Sequence, residues 1–256
     1  MSSTDLETAA ADAPFIFIGT VEHAAASSVA GAPADEHTGV VRVEEVMRAP
    51  AAVGLVAGAT VTVRSEDSPP EAGERALYVA DSWVYGNGIA VNERAKEPMG
   101  AAPGGGEATA SGQAVQPSAE KLRALEQAPL RARARDAQLI VSGRVVALEP
   151  TQGAGPGAQV SSEHDPQWWH AEIAVDDVLK GKHSRKTVRV AFPSSTDVAW
   201  HGWPRPTAGQ TGVFLLHEPD AADVKNAYVM PTELDVQPHG TAEHVQALAR
   251  RTRTGG

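Results

Sequence analysis

Apolar residues recur along this chain in short runs of strand length, and the runs come in two matching series. Phe15-Ile16-Phe17-Ile18-Gly19-Thr20-Val21 aligns with Leu139-Ile140-Val141-Ser142-Gly143-Arg144-Val145. Val41-Arg42-Val43-Glu44-Glu45-Val46-Met47-Arg48 aligns with Ile173-Ala174-Val175-Asp176-Asp177-Val178-Leu179-Lys180. Thr60-Val61-Thr62-Val63 matches Thr187-Val188-Arg189-Val190, and the segment 73–80 matches 209–216 with Tyr78 opposite Phe214. Val115-Gln116-Pro117 recurs as Val236-Gln237-Pro238. Val-x-Val and Thr-Val-x-Val alternate at period two, which predicts half-buried strands. Spacing between the copies changes only between blocks, where loops absorb insertions. A tandem internal repeat is the expectation.

Each copy closes on a helical pattern. Ser118 and Thr241 stand where N-caps are expected, with Glu120 and Glu243 in the first turn, where the helix dipole favours anions. Leu122 with Leu125, and Val245 with Leu248, supply a narrow apolar stripe. The Arg-rich ends, Arg131, Arg133 and Arg135 in one copy and Arg250, Arg251 and Arg253 in the other, fit dipole matching and solvation. Gly19 and Gly143 fall inside strand patterns, the place for a bulge or a sharp barrel bend. About five strands per copy would leave unpaired edges unless the sheet closes, and a small Greek-key barrel removes that problem. The expectation is a mostly β protein of two five-stranded OB-like barrels, each followed by a C-terminal helix. The first spans 11–135, with residues 118–135 also serving as connector, and the second spans 136–252. A Gly/Ala-rich stretch at about 99–112 occurs only in the first copy and reads as an insertion.

Composition narrows the classes of function. Glycine and proline account for 24 and 18 of the 256 residues, in keeping with short strands and many turns. The absence of cysteine excludes disulfide stapling, thiolate catalysis and cysteine-based zinc sites. The net charge of −10 sits in the first part: residues 1–117 carry 6 Lys/Arg against 16 Asp/Glu, and residues 118–256 carry 16 of each. Such a field opposes phosphate backbones and favours basic partners. Residues 1–13 lack a basic stretch followed by an apolar run, and no run is long enough to span a bilayer, so a cytoplasmic location is expected. A secreted chain whose leader has been removed reads the same.

The blocks quoted above, from Phe-Ile-Gly-Thr-Val through Val-Asp-Asp-Val-Leu-Lys-Gly to Gly-Glu-Arg-Ala-Leu-Tyr-Val, resemble the OB-fold barrels of the tissue-inhibitor-of-metalloproteinase and netrin-like superfamily. Both copies match, over roughly two thirds of the chain. The resemblance implies a barrel that works by binding other macromolecules. The family's inhibitors chelate their target's zinc through an N-terminal cysteine and brace the barrel with disulfides. This chain has Met1-Ser2-Ser3-Thr4 and no cysteine, so that mechanism does not carry over.

Two insertions in the second copy hold the candidate chemistry. One contains Glu163-His164-Asp165-Pro166-Gln167-Trp168-Trp169-His170, the other Asp197-Val198-Ala199-Trp200-His201-Gly202-Trp203. Tryptophan dominates binding hot spots, so Trp168, Trp169, Trp200 and Trp203, with His170 and His201, form the expected contact surface for a protein partner. The same rings could equally pack against the barrel. An alternative is a divalent-metal site on His164, His170 and His201, completed by Asp197 or by Glu163 or Asp165, although the spacing follows no common ligand signature. A small-ligand or carbohydrate module is a third reading. No catalytic residue is assigned, since neither a Gly-x-Ser-x-Gly elbow nor a phosphate-cradling loop is present. The acidic first copy argues against the nucleic-acid groove of many OB barrels. A non-catalytic binding or scaffold protein, with no obligate cofactor, is therefore the leading expectation.

Overall fold

The computed structural model describes residues 3–85, 88–100, 117–151, 168–194, 200, 202–219 and 226–250. The protein is mostly β and divides into two compact units, residues 1–129 and 130–256. Among the described residues no helix is long and apolar enough to cross a membrane.

The first unit opens with helix α1 (Ser3–Ala10), followed by strands β1 (Phe15–Ala24), β2 (Thr38–Arg48), β3 (Thr60–Arg64), β4 (Arg75–Tyr85) and β5 (Ile89–Met99). These strands close into a barrel in the order β1-β2-β3-β5-β4, with β3 and β5 parallel and the other neighbouring pairs antiparallel. Closure leaves no edge exposed. The continuous apolar run of β1 follows from burial on both faces. Phe15, Phe17 and Val21 point into the barrel with Val41, Val61, Tyr78 and Val91, and Phe17 stacks on Tyr78 at 5.3 Å between ring centroids. Ile16 and Ile18 point outward, where Leu77 and Val79 join them beneath Leu6 and Ala10 of α1 and Leu125 and Ala128 of helix α2 (Ala119–Asp136). Each large aliphatic side chain so buried contributes about 1.5–3 kcal/mol.

Strand β5 fills the slot between β3 and β4, although its sequence carries several charges. They are accommodated individually: Lys96, 9% exposed, pairs with Glu74 at 3.0 Å, and Ser65 donates to Glu93. Met99 ends β5, so the Gly/Ala-rich stretch expected from 99 does not include it. Residues 101–112, and Val115 and Gln116 of the repeated Val-Gln-Pro, lie outside the described residues. Helix α2 is capped as expected, Ser118 Oγ accepting from the Lys121 amide at 3.2 Å. The division between the units falls inside this helix, at Pro129.

The second unit contains β6 (Leu139–Pro150), β7 (Trp168–Lys180), β8 (Thr187–Pro193), β9 (Thr211–Leu216), β10 (Tyr228–Val229), β11 (Val236–Gln237) and helix α3 (Ala242–Ala249). They form a curled six-stranded sheet in the order β10-β8-β7-β6-β9-β11. Leu139, Val141 and Val145 face an inner core with Ile173, Val190, Phe214 and Leu216. Ile140, Val213 and Leu215 face outward beneath Ala134 of α2 and Val245 and Leu248 of α3. Thr241 does not cap α3 with its side chain: its hydroxyl donates instead to the Pro238 carbonyl at 2.7 Å.

Pairing registers in the two units follow one scheme. Gly19 opposes Val43 and Gly143 opposes Val175; Phe17 opposes Val46 and Val141 opposes Val178. Phe15 faces Ala80 across β1 and β4, and Leu139 faces Leu216 across β6 and β9. Register shifts occur at the same three places, including the step into each of these glycines. The units part at the fifth strand. Where β5 runs continuously between β3 and β4, the second unit has two short pieces, β10 parallel to β8 and β11 antiparallel to β9. Between them lie Met230, turned into the core, and a 3-10 turn at Glu233–Asp235. His217, just past β9, meets Val229 of β10 through reciprocal backbone hydrogen bonds of 3.0 and 2.9 Å.

The backbone approach at Gly143 is the tightest feature of the second sheet. A Cβ there would lie 2.1 Å from the Ala174 carbonyl oxygen, a backbone atom that moves only with its strand. Gly143→Ala is therefore expected to destabilise the second unit by about 1–3 kcal/mol. Gly240→Ala, whose added methyl meets nothing within 4 Å, should leave it nearly unchanged. Calorimetric unfolding of both variants checks the contrast.

Candidate functional site

The start of β7 distributes three adjacent side chains by the alternation of a strand. Trp169 turns inward and packs against the core of the second unit, opposite Phe192 of β8. Trp168 turns outward, onto Ala191 and Val229 and beside Trp203. His170 follows two residues on, half-buried, opposite Glu149 of β6 and Ala191 of β8. Burial, together with the nearby charge of Arg189, lowers its pKa against the pull of Glu149.

Trp168, Trp200 and Trp203 form one cluster. Their ring centroids are 5.7, 5.8 and 5.4 Å apart, with interplanar angles of 75°, 76° and 68°. Edge-to-face contacts of this kind match the positive ring edge to the negative ring face and are worth about 0.5–1.5 kcal/mol per pair. Because the three planes are nearly perpendicular to one another, they build a corner rather than a flat patch. The turn carrying two of them is closed by a hydrogen bond from the Trp203 amide to the Trp200 carbonyl at 3.2 Å.

All three rings line a cavity of about 360 Å³. Val229, Pro219 and Pro231 extend its apolar wall, and Arg133, Asp136, His217 and Glu218 bring polar groups to it. Behind this wall the Asp235 carboxylate is completely buried. Arg133 donates to both of its oxygens, from Nε at 2.9 Å and from Nη2 at 2.6 Å. His217 Nε2 lies 3.1 Å from one oxygen, and the Thr232 amide donates to the other at 3.0 Å. Burial alone would raise the Asp235 pKa. The bonds from His217 and Arg133, with the positive charge of Arg133, outweigh that effect and hold it below the ordinary carboxylate range. The network fixes the end of α2, the residue after β9 and the turn before β11 around one charge.

Of the residues expected to form a contact surface, Trp168, Trp200 and Trp203 come together, Trp169 belongs to the core, and His170 is absent from the cavity lining. His201 lies outside the described residues, as do His164, Asp197, Glu163 and Asp165 of the expected metal set. Among the described residues no three His, Cys, Asp or Glu side chains are grouped to hold a metal ion. Sequence reasoning missed Arg133, His217 and Asp235. Arg133 lay in an Arg-rich helix end that reads as solvated surface, and His217 merely followed an apolar strand. The one local signal was Thr232 three residues before Asp235, the spacing of a capping box.

Because its folded pKa is depressed, Asp235 stabilises the protein above the unfolded-state value of about 3.9, and that stability is lost as pH falls through the folded value. Asp235→Asn leaves Arg133 without its buried counter-charge and is expected to cost about 3 kcal/mol at neutral pH. Its stability should then fall less steeply than that of the native chain between pH 5 and pH 2 (roughly the span of such a titration). Urea unfolding followed across that range measures both effects. Comparison with known protein families finds no matching family model, and comparison with curated proteins finds no match.

Proposed function

We propose that the chain is a tandem duplication of an OB-like barrel, and that its second copy acts as a non-catalytic recognition module for a protein partner. The duplication is supported by the common pairing scheme, with bulges at equivalent steps and a glycine at each closest approach. The OB-like reading is supported by the order β1-β2-β3-β5-β4 with its single parallel pair, and by β10 and β11 taking the two sides of the corresponding fifth strand. The resemblance to the metalloproteinase-inhibitor and netrin-like barrels points to macromolecular binding without the cysteine-based chelation.

The observation that carries the function is the corner of three half-buried tryptophans on a preformed cavity. Tryptophan supplies large contact area at low conformational cost and is enriched where binding energy concentrates. The rigid Arg133–Asp235–His217 network beside it holds the lining in place before a partner arrives, which lowers the ordering cost of association. The net charge of −10, carried entirely by residues 1–117, opposes a phosphate-backbone partner for the chain as a whole.

Trp203→Ala and Trp200→Ala are each expected to weaken partner capture by about 2 kcal/mol or more, some thirtyfold. Far-UV circular dichroism should match that of the native chain, and thermal unfolding should stay cooperative with a loss of about 1–3 kcal/mol from the two ring contacts each substitution removes. The measurement is affinity capture from the native host with quantitative mass spectrometry; capture unaltered by both substitutions would remove this surface from consideration. The cavity volume also lies at the lower end of the range for small-ligand pockets, which favours a carbohydrate or small-molecule module as the second reading. Tryptophan fluorescence quenched by simple hexoses, with no protein captured, would decide for it.

A further inference from the structure

We infer that the tryptophan cavity accepts a methylated ammonium group carried on a lysine side chain of the protein partner. The inference rests on the recognition role proposed above and deepens it. Three features meet in the cavity: the shape of the aromatic corner, the sign of the charge along its lining, and the lack of oxygen acceptors on the indole rings themselves.

The indole planes of Trp168, Trp200 and Trp203 stand at 68–76° to one another, so a group seated in their corner meets π surface from more than one direction. Indole has the most electron-rich face among the aromatic side chains, and cations within about 6 Å of a ring centroid are attracted to it. The attraction grows when the cation is desolvated.

Charge around the cavity has the matching sign. Arg133 is the one lysine or arginine among the described lining residues, and it forms a two-pronged pair with the buried Asp235 carboxylate through Nε and Nη2, so this pair adds no net charge. The carboxylates of Asp136 and Glu218 also line the cavity and stand outside that pair. The described lining is therefore negative, with the excess on Asp136 and Glu218.

Methylation is what adapts a lysine to such a place. A bare ammonium is a compact, strongly hydrated charge with three N–H donors, and an indole corner gives those donors no oxygen acceptors to replace water. Three methyl groups remove the donors, spread the charge and turn the head group's surface apolar, so that its burial becomes favourable while the cation–π attraction stays. Val229, Pro219 and Pro231 supply apolar surface for the four-carbon stem.

The test uses the full chain and three alanine pentapeptides that differ at the central residue. One carries trimethyllysine, one unmodified lysine, and one a neutral isostere with carbon in place of the quaternary nitrogen. Binding is read by tryptophan fluorescence and by titration calorimetry. Trimethyllysine is expected to bind at least tenfold tighter than either comparison peptide. Trp203→Ala should lose at least tenfold of that affinity, and Glu218→Gln about threefold, with folding verified by thermal unfolding. Equal binding of the neutral isostere, or no binding of the trimethyllysine peptide, overturns the inference. Free choline binding as tightly as the peptide overturns the assignment to a lysine side chain. Partner capture that depends on Trp203 without discrimination among the peptides also overturns it, while leaving the recognition surface standing.

Discussion

Burial of β1 and β6 on both faces is the constraint from which the rest of each unit follows. A strand with one wet face can slip by two residues and still bury its apolar set; a strand apolar on both faces gives no such freedom once inner and outer clusters differ in shape. Along β6, Val141 fills the inner core while Ile140 meets α2 and α3, and along β1 Phe17 and Ile18 divide in the same way. Gly143 then pins the register, because only a residue without a side chain lets the Ala174 carbonyl come so close. The helices are obligatory under this constraint: without α1 and α2 on one sheet, or α2 and α3 on the other, a row of isoleucine, leucine and valine would face water.

The cavity and its buried network arise where the strand pairing of the second unit differs from that of the first. A continuous fifth strand, as in β5, pairs with its neighbours along its whole length. In the second unit β10 and β11 are short and separate, and the turn between them places Asp235 behind the cavity wall. Burying a carboxylate is costly unless it is paired and hydrogen-bonded, and here an arginine from α2, a histidine beyond β9 and a local amide satisfy it together. The resulting network resists rearrangement because every member depends on the same charge. It anchors the polar side of a cavity whose other side is aromatic.

Much of the architecture is legible from residue patterns, and the exceptions have physical causes. The strands beginning at Phe15, Thr60, Leu139 and Thr187 announce themselves through runs set by burial. Strand β5 does not, because Asn92, Glu93, Arg94 and Lys96 read as loop until Glu74 and Ser65 are seen to compensate two of them. Helix α1 escapes notice for a different reason: only Leu6 and Ala10 of its short length belong to the core. At the site, the tryptophans stand out by rarity, yet their sequence proximity misleads. Trp169 is a neighbour of Trp168 in the chain and lies on the opposite face of the strand, whereas Trp203 is distant in sequence and in ring contact. Asp235, His217 and Arg133 are joined only through folding, since 102 residues separate Arg133 from its partner. Such long-range pairings leave no local signature.

The single bridge between His217 and Val229 gives the second sheet a seam. The pairs flanking β6 and β7 run for many residues, but this junction is held by two backbone hydrogen bonds, and both residues also line the cavity. Local opening free energies scale with what is broken, so this join, like the two-residue pairings of β10 and β11, opens at less cost than the long ladders. Parting this join would change the cavity wall at His217 and Val229 while leaving the long ladders of β6 and β7 intact, so the shape of the wall depends on two hydrogen bonds.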